Sequence, residues 1–375
     1  MRALLWVGTF LAVAVEVWFL VAYGCANYDR VVFPDISWHP DLETFHRSAV
    51  ALLHGDSIYD TGAKLVNLNP PVWTVLFVPF GLLKPMVAYW VFGAVTTVLF
   101  VGCMWLVARE LGVARWPVIV VLLVSSPFMG TFGLGQVYCV LLTGLTAYWL
   151  ATRRGKHVLA GVCLGLAIAL KPTLAPLLLL PLVQRHWPTL KAAVGGILGA
   201  TLVGVVVAGP ATTLRWLSVI SGEGINTFGD NASLPAFVVR VGGPAWLGFA
   251  LGIAAIAFTV RRTTNLWALT AATLLLSPIA WHNYLVLVFP GIFLVRRLST
   301  RAYLVAPTLI GVEWGVYLFK GTSLIDHLGQ SIYFFVLASW WIVLTVQHDR
   351  DDPGQVGEAG DLGGAEHRPA RSAHQ

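Results

Sequence analysis

Apolar stretches close to membrane-spanning length recur along the whole chain, at 4–21, 87–108, 190–208, 247–260 and Ile332–Val346. This recurrence leaves few folds open, because a run of about 20 predominantly apolar residues is what a helix needs to cross a bilayer. Charged residues make up only 11% of the 375 and hydrophobic residues 57%, with a mean hydropathy of +0.75; soluble chains are roughly 25% charged. The chain therefore reads as an all-α polytopic membrane protein of about twelve transmembrane helices. The first run, behind Arg2, has the outline of a signal peptide. The further runs that follow it make it a signal anchor.

Four cysteines, Cys25, Cys103, Cys139 and Cys163, show no CxxC spacing, so neither a disulfide framework nor a metal knuckle is expected. The net charge is +6, but the basic residues sit at span ends rather than in one patch, and nucleic acid is not an expected partner. The last 28 residues are rich in Gly, Asp, Glu and Ala with almost nothing to bury. Two parts are expected: a membrane domain over 1–347 and a disordered cytoplasmic tail over 348–375.

Lys and Arg in short loops mark the cytoplasmic side. Arg2, Arg109 with Arg115, Arg153-Arg154-Gly155-Lys156, Arg185 with Lys191, Arg261-Arg262 and Arg296-Arg297 with Arg301 are the basic clusters. With all of them inside, the outside holds 24–70, 131–136, a turn at Lys171-Pro172, 210–243, 277–283 and 320–329. Residues 157–184 must then form a hairpin of two short spans broken at Lys171-Pro172. The short run 72–83 is expected to be re-entrant or tilted.

The longest polar interruption, 38–71, lies in the first outside loop. That loop carries Asp35, Asp41, Glu43, Asp56 and Asp60 in a chain that otherwise avoids charge. A surface helix is expected over 40–53, with Pro40 in its first turn and Gly55 as its stop. Leu42, Phe45, Ala49, Leu52 and Leu53 would lay one apolar face on the membrane or on neighbouring spans. Asp41 then stands at the helix start, where the free N–H groups favour an ionised carboxylate. Two readings of it stand side by side, a helix cap and a general base.

Other outside loops carry residues of the same kind. Gln136 follows a Gly133-Leu134-Gly135 turn, and Lys171 is a lone cation between apolar halves. Asn231, Ser233 and Arg240 sit in the loop before a span, and Trp281-His282 opens another. Singly, each serves as well for interface anchoring or span breaking. Together they would converge on one face of the bundle. Ionisable groups at span ends are functional candidates, cations beside a lipid groove suit a phosphate headgroup, and amides with aromatic residues suit a sugar.

At this point the chain, up to about residue 347, resembles glycosyltransferase family 87, the GT-C type membrane glycosyltransferases that use polyprenyl-phosphate sugars. That family includes α-1,2-mannosyltransferases and an arabinofuranosyltransferase of actinobacteria. The carriers are Asp41-Leu42-x-x-Phe45 with Gly55 and Tyr59, Asn69-Pro70-Pro71, Pro79, Gly135-Gln136, Ala160-Gly161, Leu170-Lys171-Pro172, Asn231-x-Ser233-Leu234, Arg240, Ser277-Pro278 and Trp281-His282. Three positions depart from the pattern: Tyr138 stands where Asn is usual, Ala232 where Gln is, and Asn283 where a second His is common.

The resemblance implies transfer of a sugar, mannose in α-linkage, from a polyprenyl-phosphate donor to a lipid-anchored glycan acceptor of the cell envelope. It implies a bacterial plasma-membrane enzyme whose active site faces outside. It makes Asp41 the base, Lys171 and Arg240 the donor-phosphate ligands, and Asp35, Gln136, Asn231, Ser233, Trp281 and His282 substrate contacts, Asp35 being also the alternative base. Direct displacement would invert the anomeric centre. No DxD motif appears within 1–347, so no metal and no cofactor are expected. Arabinofuranosyl transfer is the alternative, as is a lipid or solute transporter, for which Glu16 and Glu313 within apolar runs are the best support.

Overall fold

The structure, a computed structural model, describes residues 35–311 and 318–346. The expected first span at 4–21, with Glu16, lies outside these residues, as do Cys25, Glu313 and the acidic tail from 348.

The described regular structure is helical. α1 (Pro40–His54) is followed by α2 (Pro71–Gly81), α3 (Pro85–Glu110), α4 (Trp116–Leu123), α5 (Ser126–Leu134), α6 (Tyr138–Arg153) and α7 (His157–Leu170). A 3-10 stretch, Pro172–Leu178, leads to α8 (Leu179–Val183), α9 (Trp187–Ala208), α10 (Pro210–Gly222), α11 (Leu234–Arg240), α12 (Ala245–Arg262) and α13 (Leu266–Leu276). Two more 3-10 segments, His282–Leu287 and Phe289–Leu294, precede α14 (Leu298–Val305), α15 (Leu324–Gln330) and α16 (Ile332–Val346). Proline stands in the first turn of α1, α2, α3, α4, α5, α9, α10 and α11, where its missing N–H loses no helical bond.

By length and composition α3, α9 and α12 are each able to cross a bilayer. Two bent pairs add to them: α4 with α5 at 55°, and α15 with α16 at 60°. α2, α7, α13 and the stretch Pro172–Val183 are apolar but shorter, so much of the expected membrane body is built from broken or short helices. Irregular backbone at membrane depth has to be enclosed by protein. Accordingly, every residue from His282 to Leu287 is buried, and so is every residue of α13 from Leu266 to Leu275. α9 has the opposite character, with Leu198, Leu202 and Val206 exposed along its length, as a lipid-facing helix requires.

The expected break at Lys171-Pro172 is present: α7 stops at Leu170 and Lys171 leaves the helix at φ −142°, ψ 87°. α7 and α9 lie unusually close. A Cβ on Gly165 would come 2.2 Å from the Ala193 carbonyl oxygen, and one on Gly161 equally near that of Thr189. Small residues at four-residue spacing let helix backbones approach this way in membranes.

α1 matches the helix expected over 40–53, ending one residue later and capped by Gly55. Of the two placements expected for its apolar face, the structure has the one against neighbouring helices. Leu42, Phe45 and Ala49 are buried against protein, with Phe45 5.4 Å from the Trp73 ring and 5.8 Å from Phe77, while Leu53 stays exposed. The polar side is clamped too. Thr44 donates to the Leu65 carbonyl at 3.1 Å, Ser48 to that of Ile58 at 2.7 Å, and His46 to that of Leu83 at 2.9 Å. The 55–70 loop folds back over α1, with Thr44 and Ser48 satisfying two of its carbonyls.

Candidate active site

The start of α1 is pinned to the end of α5. His39 Nδ1 donates to the Gly133 carbonyl at 2.5 Å, and its ring stacks on Tyr89 at 3.5 Å between centroids. Gly135 then turns the chain at φ 74°, and a Cβ there would sit 2.6 Å from that of Leu42. Only glycine combines that left-handed backbone with that contact. The turn delivers buried Gln136 to the first turn of α1, where its side chain hydrogen-bonds the Asp41 carboxylate within reach of the Lys171 charge.

Asp41 keeps part of its surface open. Burial nevertheless pushes its carboxyl up to about 6, with the Gln136 hydrogen bond and Lys171 opposing the rise. A carboxylate that titrates near the working pH is suited to accept a proton in a reaction. Lys171 Nζ lies 5.4 Å from the centre of the Tyr284 ring, which packs on Tyr138 at 4.1 Å. No hydrogen bond or ion pair holds that ammonium among the described residues.

A second cluster surrounds Asp230. Its Oδ1 accepts from the His282 backbone N–H at 3.0 Å and from the His282 ring Nδ1, while Nε2 of the same ring lies 3.2 Å from the Ser126 carbonyl. Asn231 forms a backbone bridge with Trp281. The Asn231 amide donates to the carbonyls of Asn226 and Pro278 at 2.8 and 3.1 Å, and accepts from the N–H groups of Ala280 and Ser233 at 2.9 and 3.2 Å. Ser233 caps α11, accepting from the Ala236 N–H at 3.3 Å. Arg240 is buried and donates to the carbonyls of Thr227, Phe228 and Asn231 at 3.0, 2.8 and 2.9 Å and to Ser331 Oγ at 2.5 Å.

The structure brings several of these residues together in two groups. Asp41, Gln136 and Lys171 form one group, and Trp281 and His282 join Asp230 in a neighbouring one. Tyr138 lies within electrostatic reach of both Asp41 and Asp230. Asn231, Ser233 and Arg240 were expected to touch substrate or donor phosphate; instead, their polar atoms turn inward and fasten the 226–233 loop to 277–281 and to α15–α16. Burial lowers the Arg240 guanidinium to about 10, against the pull of Asp230, so it remains a cation, but one already enclosed by acceptors. Asp35 is exposed at the head of a 3-10 turn, its carbonyl accepting from the Trp38 N–H at 3.0 Å, and it joins neither group among the described residues.

Residues 67–290, more than half the chain, match glycosyltransferase family 87. The chain belongs to that family. Among its relatives, an α-(1→3)-arabinofuranosyltransferase of Corynebacterium glutamicum is 28% identical over 282 residues, 68% of this chain and 66% of that protein. A polyprenol-phosphate-mannose-dependent α-(1→2)-phosphatidylinositol mannoside mannosyltransferase of Mycobacterium tuberculosis is 27% identical over 377 residues, 86% of this chain and 84% of that one. The chain thus spans slightly under two thirds of the corynebacterial relative and most of the mycobacterial one. ArnT from Cupriavidus metallidurans, solved bound to undecaprenyl phosphate, aligns over 91% of this chain and 76% of its own at a TM-score of 0.34 and 16% identity, a likeness too loose to build on.

Within this family 87 chain, sequence reasoning passed over Asp230, Tyr284 and His39. Asp230 adjoins Asn231, so an acid was in view in a loop already singled out; its pairing with His282, fifty-two positions on, was not. His39 precedes Pro40 and carries no motif of its own.

Proposed function

We propose that this protein is a polyprenyl-phosphate-dependent glycosyltransferase of the bacterial plasma membrane, transferring mannose in α-linkage to a lipid-anchored glycan on the outer face. The observation that carries this reading is the setting of Asp41: a helix-start carboxylate, raised to about 6 by burial and held beside the Gln136 amide and the Lys171 ammonium. In the proposed step Asp41 takes the proton of an acceptor hydroxyl as its oxygen bonds to the anomeric carbon. The bond from that carbon to the phosphate oxygen breaks, and polyprenyl phosphate leaves with the electron pair.

Lys171 is the cation free to meet the developing phosphate charge, and a preorganised cation of that kind lowers the barrier. One displacement inverts the centre, so a β-linked donor gives an α-linkage. Gln136, Trp281 and His282 are the proposed substrate contacts; Arg240, Asn231 and Ser233 hold the loop that carries Asp230. The reading needs no cofactor beyond the lipid-linked donor. Arabinofuranose is the second sugar, supported by the corynebacterial relative.

The test is transfer in membranes containing the protein, supplied in parallel with radiolabelled polyprenyl-phosphomannose and polyprenyl-phosphoarabinose. Label should pass from the first donor into envelope glycolipid, and Asp41→Asn should abolish it at normal expression. Label from the arabinose donor alone would transfer the assignment to that sugar, and full activity in Asp41→Asn would remove Asp41 from the mechanism.

A further inference from the structure

On the side of α1 away from Asp41 lies a groove of about 710 Å³. Glu43, Arg47, Val50 and His54 form its helical wall, spaced i, i+4, i+7 and i+11 as one helix face requires. Asp56 and Asp60 of the returning loop form the other wall. Within this wall Glu43 stands out. It is 5% exposed, its Oε1 is held by Arg47 at 2.8 Å, and its Oε2 has no partner among the described residues. Burying a charged oxygen without a partner is costly, and such a group has a use where a ligand supplies the missing donor.

From this we infer that the groove is a saccharide subsite, binding a neutral stretch of the acceptor glycan remote from the hydroxyl that reacts. The chemistry of the walls selects that ligand class. Hydroxyl groups donate to carboxylates, and Glu43, Asp56 and Asp60 offer three. The two guanidiniums nearby are already committed, Arg47 to Glu43 and Arg215 to Asp60 at 2.9 Å, so the walls repel rather than attract a phosphate. Val50, Ile36 and Pro85, which also line the groove, give apolar surface for the C–H face of a sugar ring. A volume of this size is in the range of small-ligand sites. Carrying the subsite and the proposed base on one helix would fix the register of the acceptor chain relative to Asp41. The assignment to the acceptor rests on the proposed transferase activity; the binding of saccharide does not.

The experiment uses the purified full-length protein in detergent, with linear α-linked mannotetraose as probe and an arabinofuranose tetramer in a second arm, followed by saturation-transfer NMR and tryptophan fluorescence. Wild type should bind one of the two. Glu43→Gln should weaken binding at least tenfold, Val50→Trp should abolish it by filling the groove, and Asp41→Asn should leave it intact. Asp56→Asn, at an exposed position where folding is not at stake, should weaken binding about threefold. No binding by wild type, equal binding by all variants, or competition of inorganic phosphate with the sugar would overturn the subsite. In the transfer assay Glu43→Gln should raise the acceptor KM and leave kcat unchanged; an unchanged KM would also overturn it. Loss of the Asp41 mechanism with variant-sensitive binding preserved would sink the catalytic reading alone.

Discussion

Replacing Asp41 by Asn should inactivate the protein and stabilise it at the same time. Burial is the largest influence on this carboxyl, and the climb from 3.8 to about 6 corresponds to about 3 kcal/mol, at 1.36 kcal/mol for each tenfold change in the ionisation constant. The sign follows from proton linkage. Between pH 3.8 and about 6 the folded chain holds a proton that the unfolded chain has released, so this group's contribution to stability falls as pH rises through that window and is level above it. Asn is neutral at every pH and keeps nearly the same shape. At pH 7.5 the variant should therefore gain up to about 3 kcal/mol, less whatever Lys171 loses with its neighbouring charge. At about 2–4 °C per kcal/mol in mid-sized domains, the apparent Tm should rise by several degrees. The assay is a pair of thermal melts in one detergent at pH 4.5 and pH 7.5, read as variant minus wild type so that other titrating groups cancel. That difference should be positive at both and about three times larger at pH 7.5 than at pH 4.5. Activity should run the other way: removal of a general base costs about 10²–10⁴-fold, and wild-type kcat/KM should climb with pH through a midpoint near 6. A variant that melts below wild type at pH 7.5, or a wild-type profile flat from pH 5 to 7, would refute the reasoning.

Three other perturbations separate bracing from chemistry. Arg240→Lys should destabilise the fold by about 3 kcal/mol or more and lower the apparent Tm accordingly, because a buried ammonium cannot reach the four acceptors now met by the guanidinium; the donor KM of the protein that remains folded should not change. Asp230→Asn should lower kcat/KM about tenfold by loosening the His282 ring, and should leave the midpoint near pH 6 in place, since that belongs to Asp41. Gly165→Ala drives a Cβ to 2.2 Å from a carbonyl oxygen of α9 and should destabilise the protein, whereas Gly199→Ala, with nothing within 4 Å, should be neutral or gain up to about 1 kcal/mol of helix propensity. Melting temperatures of the two glycine variants in one detergent decide between them.

Much of this was legible in the chain because the relevant signals are local. α1 is announced by Pro40, an apolar stripe and Gly55, and the break after α7 by Lys171-Pro172; each depends on a few adjacent residues. What the sequence does not carry is which side of a helix meets which neighbour. Glu43, Thr44, His46 and Ser48 of α1 are polar, yet all four are buried, Thr44 and Ser48 because the returning loop spends its carbonyls on their side chains and His46 because it meets the Leu83 carbonyl. The spans show the same limit. Hydropathy marks α13 and α9 alike as apolar, and only packing tells that one is interior and the other faces outward.

The cations illustrate the limit most sharply, and also how geometry removes it. Lys171 and Arg240 look equivalent in sequence: one positive charge each, at the end of an apolar segment, in a protein that handles phosphate if it follows its family. A guanidinium offers five donors in a planar fork, which suits a site where several carbonyls of one loop must be gathered. Arg240 meets three such carbonyls and a hydroxyl, and the loop it gathers is the one that presents Asp230 to His282. An ammonium on a flexible stem is poorly suited to that task. Lys171 has beside it an aromatic face and the Asp41 carboxylate, and no hydrogen bond holds its ammonium among the described residues. An ammonium next to a candidate base, with its donors still open, is suited to take an incoming phosphate. Such a phosphate would also draw Asp41 towards its protonated form once the sugar has been transferred, so the donor KM of Lys171→Ala should rise while the midpoint of its pH profile shifts upward from 6. A donor KM that rises with the midpoint unmoved would separate the two groups and assign Lys171 to binding alone.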